Sequence, residues 1–175
     1  LLDSALENRV WQRLDPDQQA GELAAILREE HPERALKGLA HRGLLGGLDK
    51  KLTSSRIPYD RFAKIRSVAQ TVPVADAFLL NFHSLGEKLG AGYKQRLAEK
   101  LIDDPKVKKM ALGLETVARK LARVLGGSQA KLPSQVYTLL SGQPQPLLLF
   151  LLVNYPQTKI QSRLKSFLFK FPQVR

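Results

Sequence analysis

A chain of 175 residues, 43% of them hydrophobic and 25% charged, can bury one medium core or two small helical ones and is neither disordered nor fibrous. It has no cysteine, which excludes a disulfide framework, a thiol nucleophile and thiolate zinc ligation, and is compatible with a cytoplasmic location. The net charge is +12, and residues 116–175 carry nine basic and no acidic side chains, against 19 basic and 16 acidic in residues 1–115. A positive field concentrated in this way favours a polyanion, either nucleic acid or an anionic membrane surface.

Helical periodicity runs through the whole chain, and no stretch alternates at period two. Asp15-Pro16 reads as an N-cap and first helical residue, opening a helix with Leu23, Ile26 and Leu27 on one face. His31-Pro32-Glu33 restarts the chain, Leu36, Leu39 and Ala40 follow, and Gly43 closes the turn. Leu44, Leu45 and Leu48 around Gly46-Gly47 predict a short buried turn. Pro58 opens a helix with Tyr59, Phe62, Ile65 and Ala69 inward, and a more fully buried one follows Pro73 through Phe78, Leu79, Phe82 and Leu85. Gly86, Gly90 and Gly92 then predict a boundary between subdomains 1–90 and 91–175.

Beyond it comes a short helix over residues 93–102, stopped by Asp103-Asp104-Pro105. Pro105 begins the longest helix, which runs to about Leu125 and ends at Gly126-Gly127. Its apolar residues, from Val107 through Leu114 and Leu121 to Leu125, form one stripe at ~100° per residue, with Lys108, Lys109, Arg119, Lys120 and Arg123 opposite. Pro133 starts another helix, a very apolar one follows Pro146, and the last begins near Gln157 with Ile160, Leu164, Phe167, Leu168 and Phe171 inward. Lys159, Arg163 and Lys170 share one flank of that last helix. The expected fold is all-α, an irregular array of eight to ten helices. The longest uninterrupted apolar run, 147–153, is far too short to span a bilayer.

No complete catalytic centre can be assembled from these residues. Asp15-Pro16-Asp17 has the spacing of a carboxylate pair that holds magnesium, but a helix start needs the same residues for capping. Asp103-Asp104 has the same explanation. His31, His41 and His83 are scattered, without metal-ligand spacing. Gly90-Ala91-Gly92 is too short for a phosphate loop, and Ser54, Ser55 and Ser134 lie in no nucleophile elbow. What remains is the basic stripe. A solvated helix face would carry Glu at i−4 or i+4 of its cations. Glu115–Arg119 is such a pair, but Lys120, Arg123, Lys159 and Arg163 have none. Lys108, Lys109, Arg119, Lys120, Arg123, Lys159 and Arg163 are therefore the expected phosphate contacts. Tyr137, Tyr155 and Phe150 have the chemistry to stack on bases, although their helical spacing fits core packing better.

Two segments carry a family likeness. Residues 13–27, continuing through His31-Pro-Glu-Arg-Ala-Leu36 to His41-Arg-Gly-Leu-Leu45, resemble the neck and body of bacterial tRNA nucleotidyltransferases and poly(A) polymerases. Leu132-Pro-Ser-Gln-Val-Tyr-Thr-Leu-Leu140, with the helices at 146–153 and 160–169, resembles the body-to-tail segment of the same family, in particular its A-adding members. Together they cover less than half of the chain.

The resemblance implies an all-α body and tail that grip the tRNA elbow side and acceptor stem. It also implies a catalytic head, with its magnesium and nucleoside triphosphate, that precedes these residues, so no cofactor is expected within them. Where the family's neck has Arg-Ile, this chain has Gln18-Gln19-Ala20. The start at Leu1, close to Asp3 and Glu7, is unlike a secretory signal and reads as the interior of a longer protein. Two other classes compete with RNA binding: a helical module whose basic face meets an acidic protein, and a peripheral module on anionic lipid.

Overall fold

Every regular element in the computed structural model, which describes residues 10–72 and 77–170, is helical. After a single turn at Val10–Arg13 come α1 (Pro16–Ile26), α2 (Pro32–His41), α3 (Tyr59–Thr71), α4 (Phe78–Leu85), α5 (Ala91–Leu101), α6 (Pro105–Gly126), α7 (Pro133–Leu140), α8 (Gln145–Asn154) and α9 (Thr158–Lys170). Short 3-10 turns lie at Leu44–Gly47, Ser54–Arg56 and Ser128–Ala130. The all-α expectation is met, and the nine helices among the described residues fall within the predicted number. Pro73 and Phe171, and the side chain of Lys170, lie outside the described residues.

The helix starts follow from local chemistry. Asp15 Oδ1 accepts from the backbone N–H of Asp17 (3.0 Å) and of Gln18 (2.8 Å). The Gln18 side chain returns the favour by accepting from the Asp15 N–H at 3.0 Å. This is a capping box with Pro16 at the first helical position, where its missing N–H costs nothing. Asp104 does the same for α6, accepting from the N–H of Lys106 at 2.7 Å and of Val107 at 3.3 Å. Both carboxylate pairs of the sequence thus have a capping member. Gly43, which ends α2, adopts φ 70°, a left-handed conformation that costs a residue with a Cβ free energy.

Contacts divide the chain into two compact units. The first comprises the described parts of Leu1–Ser67 and Ala75–Leu112, and the second those of Val68–Val74 and Gly113–Arg175. The break runs through α6, between Leu112 and Gly113, and the glycines at 86, 90 and 92 lie inside the first unit.

In the first unit Leu23, Ile26, Leu27, Leu36, Leu39, Leu45, Phe62, Phe82 and Leu97 form a buried apolar core. Trp11 joins it and donates its indole N–H to the Leu44 carbonyl at 3.2 Å. Helix α4 is buried on every side, including Asn81, His83 and Ser84. Asn81 is accommodated by donating to the Leu27 carbonyl at 2.8 Å, and the His83 ring nitrogen lies 3.3 Å from the Lys94 ammonium. A buried polar group needs such a partner to offset its lost hydration.

The same unit holds a shielded ion pair. Arg66 donates to Glu33 Oε1 at 2.7 Å, and His31 Nδ1 lies 3.4 Å from that oxygen. Burial pushes the Glu33 carboxyl up, but the Arg66 hydrogen bond, the backbone, His31 and the Arg66 charge together hold it below its ordinary 4.5. A carboxyl depressed by folding stabilises the fold above its unfolded pKa, and that contribution fades as pH falls through the folded value. Thermal melts across acidic pH should therefore show the wild type losing its margin over Glu33→Gln below about pH 4.5. A margin that is unchanged on acidification would remove the pair from the account of stability.

In the second unit α8 is the central rod, with every residue from Leu147 to Val153 buried. Leu114, Ala118, Leu121 and Leu125 of α6, Val136 and Leu140 of α7, and Ile160 and Leu164 of α9 complete this core. Among the described residues no single helix is long and apolar enough to cross a membrane. Helices α7 and α8 reach the required length and composition only together, and they are bent by 120° at the break between them.

Candidate nucleic-acid interface

The two units differ sharply in charge. Through the whole sequence, the stretches assigned to the second unit contain nine Lys and Arg and one acid, Glu115, whereas those of the first contain 19 and 15. The first unit does have a cleft of about 970 Å³ between α1, α5 and the start of α6. Arg28, Arg96 and Lys100 line it, but so do Asp17, Glu99, Asp103 and Asp104. Opposite charges at that ratio leave it without a preference for a polyanion. Among the described residues no three His, Asp or Glu side chains are grouped to hold a metal ion.

Helix α6 carries the first row of cations in the second unit. Its buried side holds Leu114, Ala118, Leu121 and Leu125, and this fixes the helix's rotation about its axis. Arg119, Lys120 and Arg123 are consequently exposed together, within an arc of roughly 100° set by the helical repeat. Arg119 donates to Glu115 at 2.9 Å, with the two side chains 68% and 46% exposed. A pair so open to water is weak and leaves the arginine available. Lys120 and Arg123 make no ion pair among the described residues.

Tyr155 lies beside the Arg119–Glu115 pair. Burial pushes its hydroxyl above the ordinary 10; Glu115 raises it further, while the charge and hydrogen bond of Arg119 oppose the shift. The phenol is therefore neutral at physiological pH and adds no negative charge to this face.

Helix α9 carries the second row. Lys159 is exposed, and one turn later Arg163 is half-buried because its guanidinium is occupied. Arg163 donates to the carbonyls of Leu125 and, at 3.2 Å, of Gly127. The last carbonyls of a helix lack intrahelical partners and carry partial negative charge, so a guanidinium there caps α6. Two residues earlier, Gln161 donates to the carbonyls of Leu152 (3.0 Å) and Tyr155 (2.8 Å) and so closes the end of α8. Helix α9 thus clamps the ends of both neighbours, and its Arg163 sits at the last turn of α6, which also carries Arg123.

Of the seven cations expected from the sequence, the second unit brings together Arg119, Lys120, Arg123, Lys159 and Arg163. Lys108 (half-buried) and Lys109 (exposed) belong to the part of α6 that lies in the first unit. Sequence reasoning left out exposed Lys131 and Lys165, which are equally free of acidic neighbours in sequence. It also did not foresee the capping contact of Arg163, because a partner 38 residues away leaves no local signal.

The aromatic residues sort differently from expectation. Phe150 is core, as its spacing implied, and Tyr155 is half-buried. Tyr137 is 43% exposed, with its ring centroid 5.8 Å from that of Phe167. No protein-family model matches the chain, and no curated protein or solved structure matches it either.

Proposed function

We propose that this chain holds RNA, in particular tRNA, as the helical body and tail of a template-independent nucleotidyltransferase that adds CCA, A or poly(A). It would position the RNA 3′ end for a catalytic head outside these residues, and magnesium and the nucleoside triphosphate would belong to that head. A cytoplasmic location goes with this reading. The observation that carries the RNA part is the second unit's nine cations against a single acid, with Lys120, Arg123 and Lys159 exposed on two adjoining helices. Cations without acidic neighbours gain from the release of counterions when they meet phosphates. A helical surface suits recognition by shape and backbone, because side chains cannot read the deep major groove of folded RNA. The enzyme class rests on the resemblance of residues 13–45 and 132–169 alone.

The test is a competition at one moderate salt concentration, with labelled tRNA displaced by unlabelled tRNA, by an acidic polypeptide or by anionic vesicles. The proposal expects tRNA to compete far better than either alternative. Preferential displacement by the polypeptide or the vesicles would replace it with the corresponding rival.

A further inference from the structure

The first unit holds a tyrosine ring that carries two cations. Tyr93 of α5 is half-buried and packs against that unit's core. The Lys51 ammonium stands 3.7 Å from its ring centroid, and the Arg96 guanidinium carbon stands 4.2 Å from it. Both are close enough to be drawn to the π-electrons of the ring. Neither cation makes an ion pair among the described residues, and the Tyr93 hydroxyl makes no hydrogen bond among them.

The acids nearby are engaged with neutral donors. Asp49 Oδ1 accepts from the backbone N–H of Lys51 at 2.9 Å, and Glu99 Oε1 accepts from the Gln95 side chain at 2.9 Å. Lys50 is exposed next to Lys51, and Lys100, one turn beyond Arg96 on α5, donates to the Leu48 carbonyl at 3.1 Å. Arg96 and Lys100 border the mixed-charge cleft described above, but their head groups are held at Tyr93 and at the Leu48 carbonyl and pair with none of its acids.

Packing accounts for one cation on this ring, because a long stem covers apolar surface while its charge stays in water. It does not account for a second. Two like charges at one ring repel each other, and a carboxylate placed between them would offset that repulsion. An anion arriving at the hydroxyl end of the ring would meet both charges, the O–H donor and the positive edge of the aromatic quadrupole. Donors on three separate side chains suit a tetrahedral group with several oxygens: the guanidinium can take two of them, and the ammonium and hydroxyl the others.

We infer that Lys51, Arg96 and the Tyr93 hydroxyl form a phosphate site in the first unit, which takes a backbone phosphate of the bound RNA. The inference rests on the RNA reading above and adds a contact that the second unit does not supply.

The test measures the affinity of the whole chain for tRNA over a salt series. Lys51→Gln with Arg96→Gln removes both charges, and Tyr93→Phe removes only the hydroxyl. Lys64→Gln with Lys88→Gln takes the same charge from exposed positions elsewhere in the first unit. The Lys51/Arg96 variant should bind on the order of tenfold more weakly, and its slope of log affinity against log salt should be shallower by about 1, for one phosphate contact. Tyr93→Phe should bind more weakly at an unchanged slope, because no charge is lost, and the Lys64/Lys88 variant should keep the wild-type slope. Acylation of Lys51 in the wild type, read by mass spectrometry, should slow when tRNA is bound; an unchanged rate overturns the site whether or not a variant folds. If the Lys51/Arg96 variant keeps wild-type affinity and slope, or the Lys64/Lys88 variant loses as much, the site is overturned and the second unit's phosphate reading stands. If wild type does not bind tRNA, that reading fails and this inference fails with it.

Discussion

Replacing Lys120, Arg123 and Lys159 together with Glu should weaken tRNA binding by about 100-fold or more while leaving the helical content unchanged. The three side chains are exposed and make no ion pair among the described residues, so their replacement breaks no described ion pair. A unit charge about 4 Å from a phosphate in water gains about 1 kcal/mol, and three such charges amount to roughly two powers of ten in affinity. Reversal adds repulsion to that loss. The slope of log affinity against log salt should also become shallower by about 2 to 3, one step for each phosphate contact given up. Binding isotherms at several salt concentrations give both quantities. An affinity within about twofold of wild type would mean that RNA, if bound at all, lies elsewhere.

Arg163→Met should have the opposite signature. The guanidinium satisfies the carbonyls of Leu125 and Gly127, and losing it leaves two acceptors at the C-terminal end of α6 without that donor. Hydrogen bonds from a charged donor are worth more than neutral ones, so the expected loss of stability is about 1–3 kcal/mol. Met preserves much of the aliphatic stem and isolates the loss of the donor. Urea unfolding followed by circular dichroism measures the cost. Because this guanidinium is turned into the protein, the salt slope for RNA should be unaffected once the variant is compared under folded conditions. A shallower slope with unchanged stability would make Arg163 a phosphate ligand, as its place in the sequence first implied.

These two residue sets show what the sequence makes legible. Helix starts at Pro16, Pro32, Pro105 and Pro133 are written locally, because proline at a first helical position and the caps at Asp15 and Asp104 are properties of a few adjacent residues. The faces of α6 are legible for a related reason: the period of 3.6 residues converts sequence spacing directly into direction. The all-α fold and the exposed Arg119, Lys120 and Arg123 follow from those two rules.

What escapes is whatever depends on partners distant in sequence. Arg163 has no acid at helical spacing, so locally it looks free, and only the packing of α9 on the end of α6 gives it two carbonyls. Tyr137 looks like core because Val136 and Leu140 flank it in a helix of only eight residues. Its exposure depends on how α7 meets α9, which a helix that short does not specify. The division inside α6 is equally silent, since one unbroken helix offers no glycine or proline at Leu112–Gly113 beyond Gly113 itself.

The central claim, that the second unit is a phosphate-binding surface, is tested most directly by the affinity of the intact chain for tRNA across a salt series. With at least three phosphates neutralised, log affinity should fall with log salt at a slope of about −2.7 or steeper. That corresponds to roughly a 40-fold or greater loss between about 50 and 200 mM. A flat response, or no binding at the lowest salt, would contradict the account.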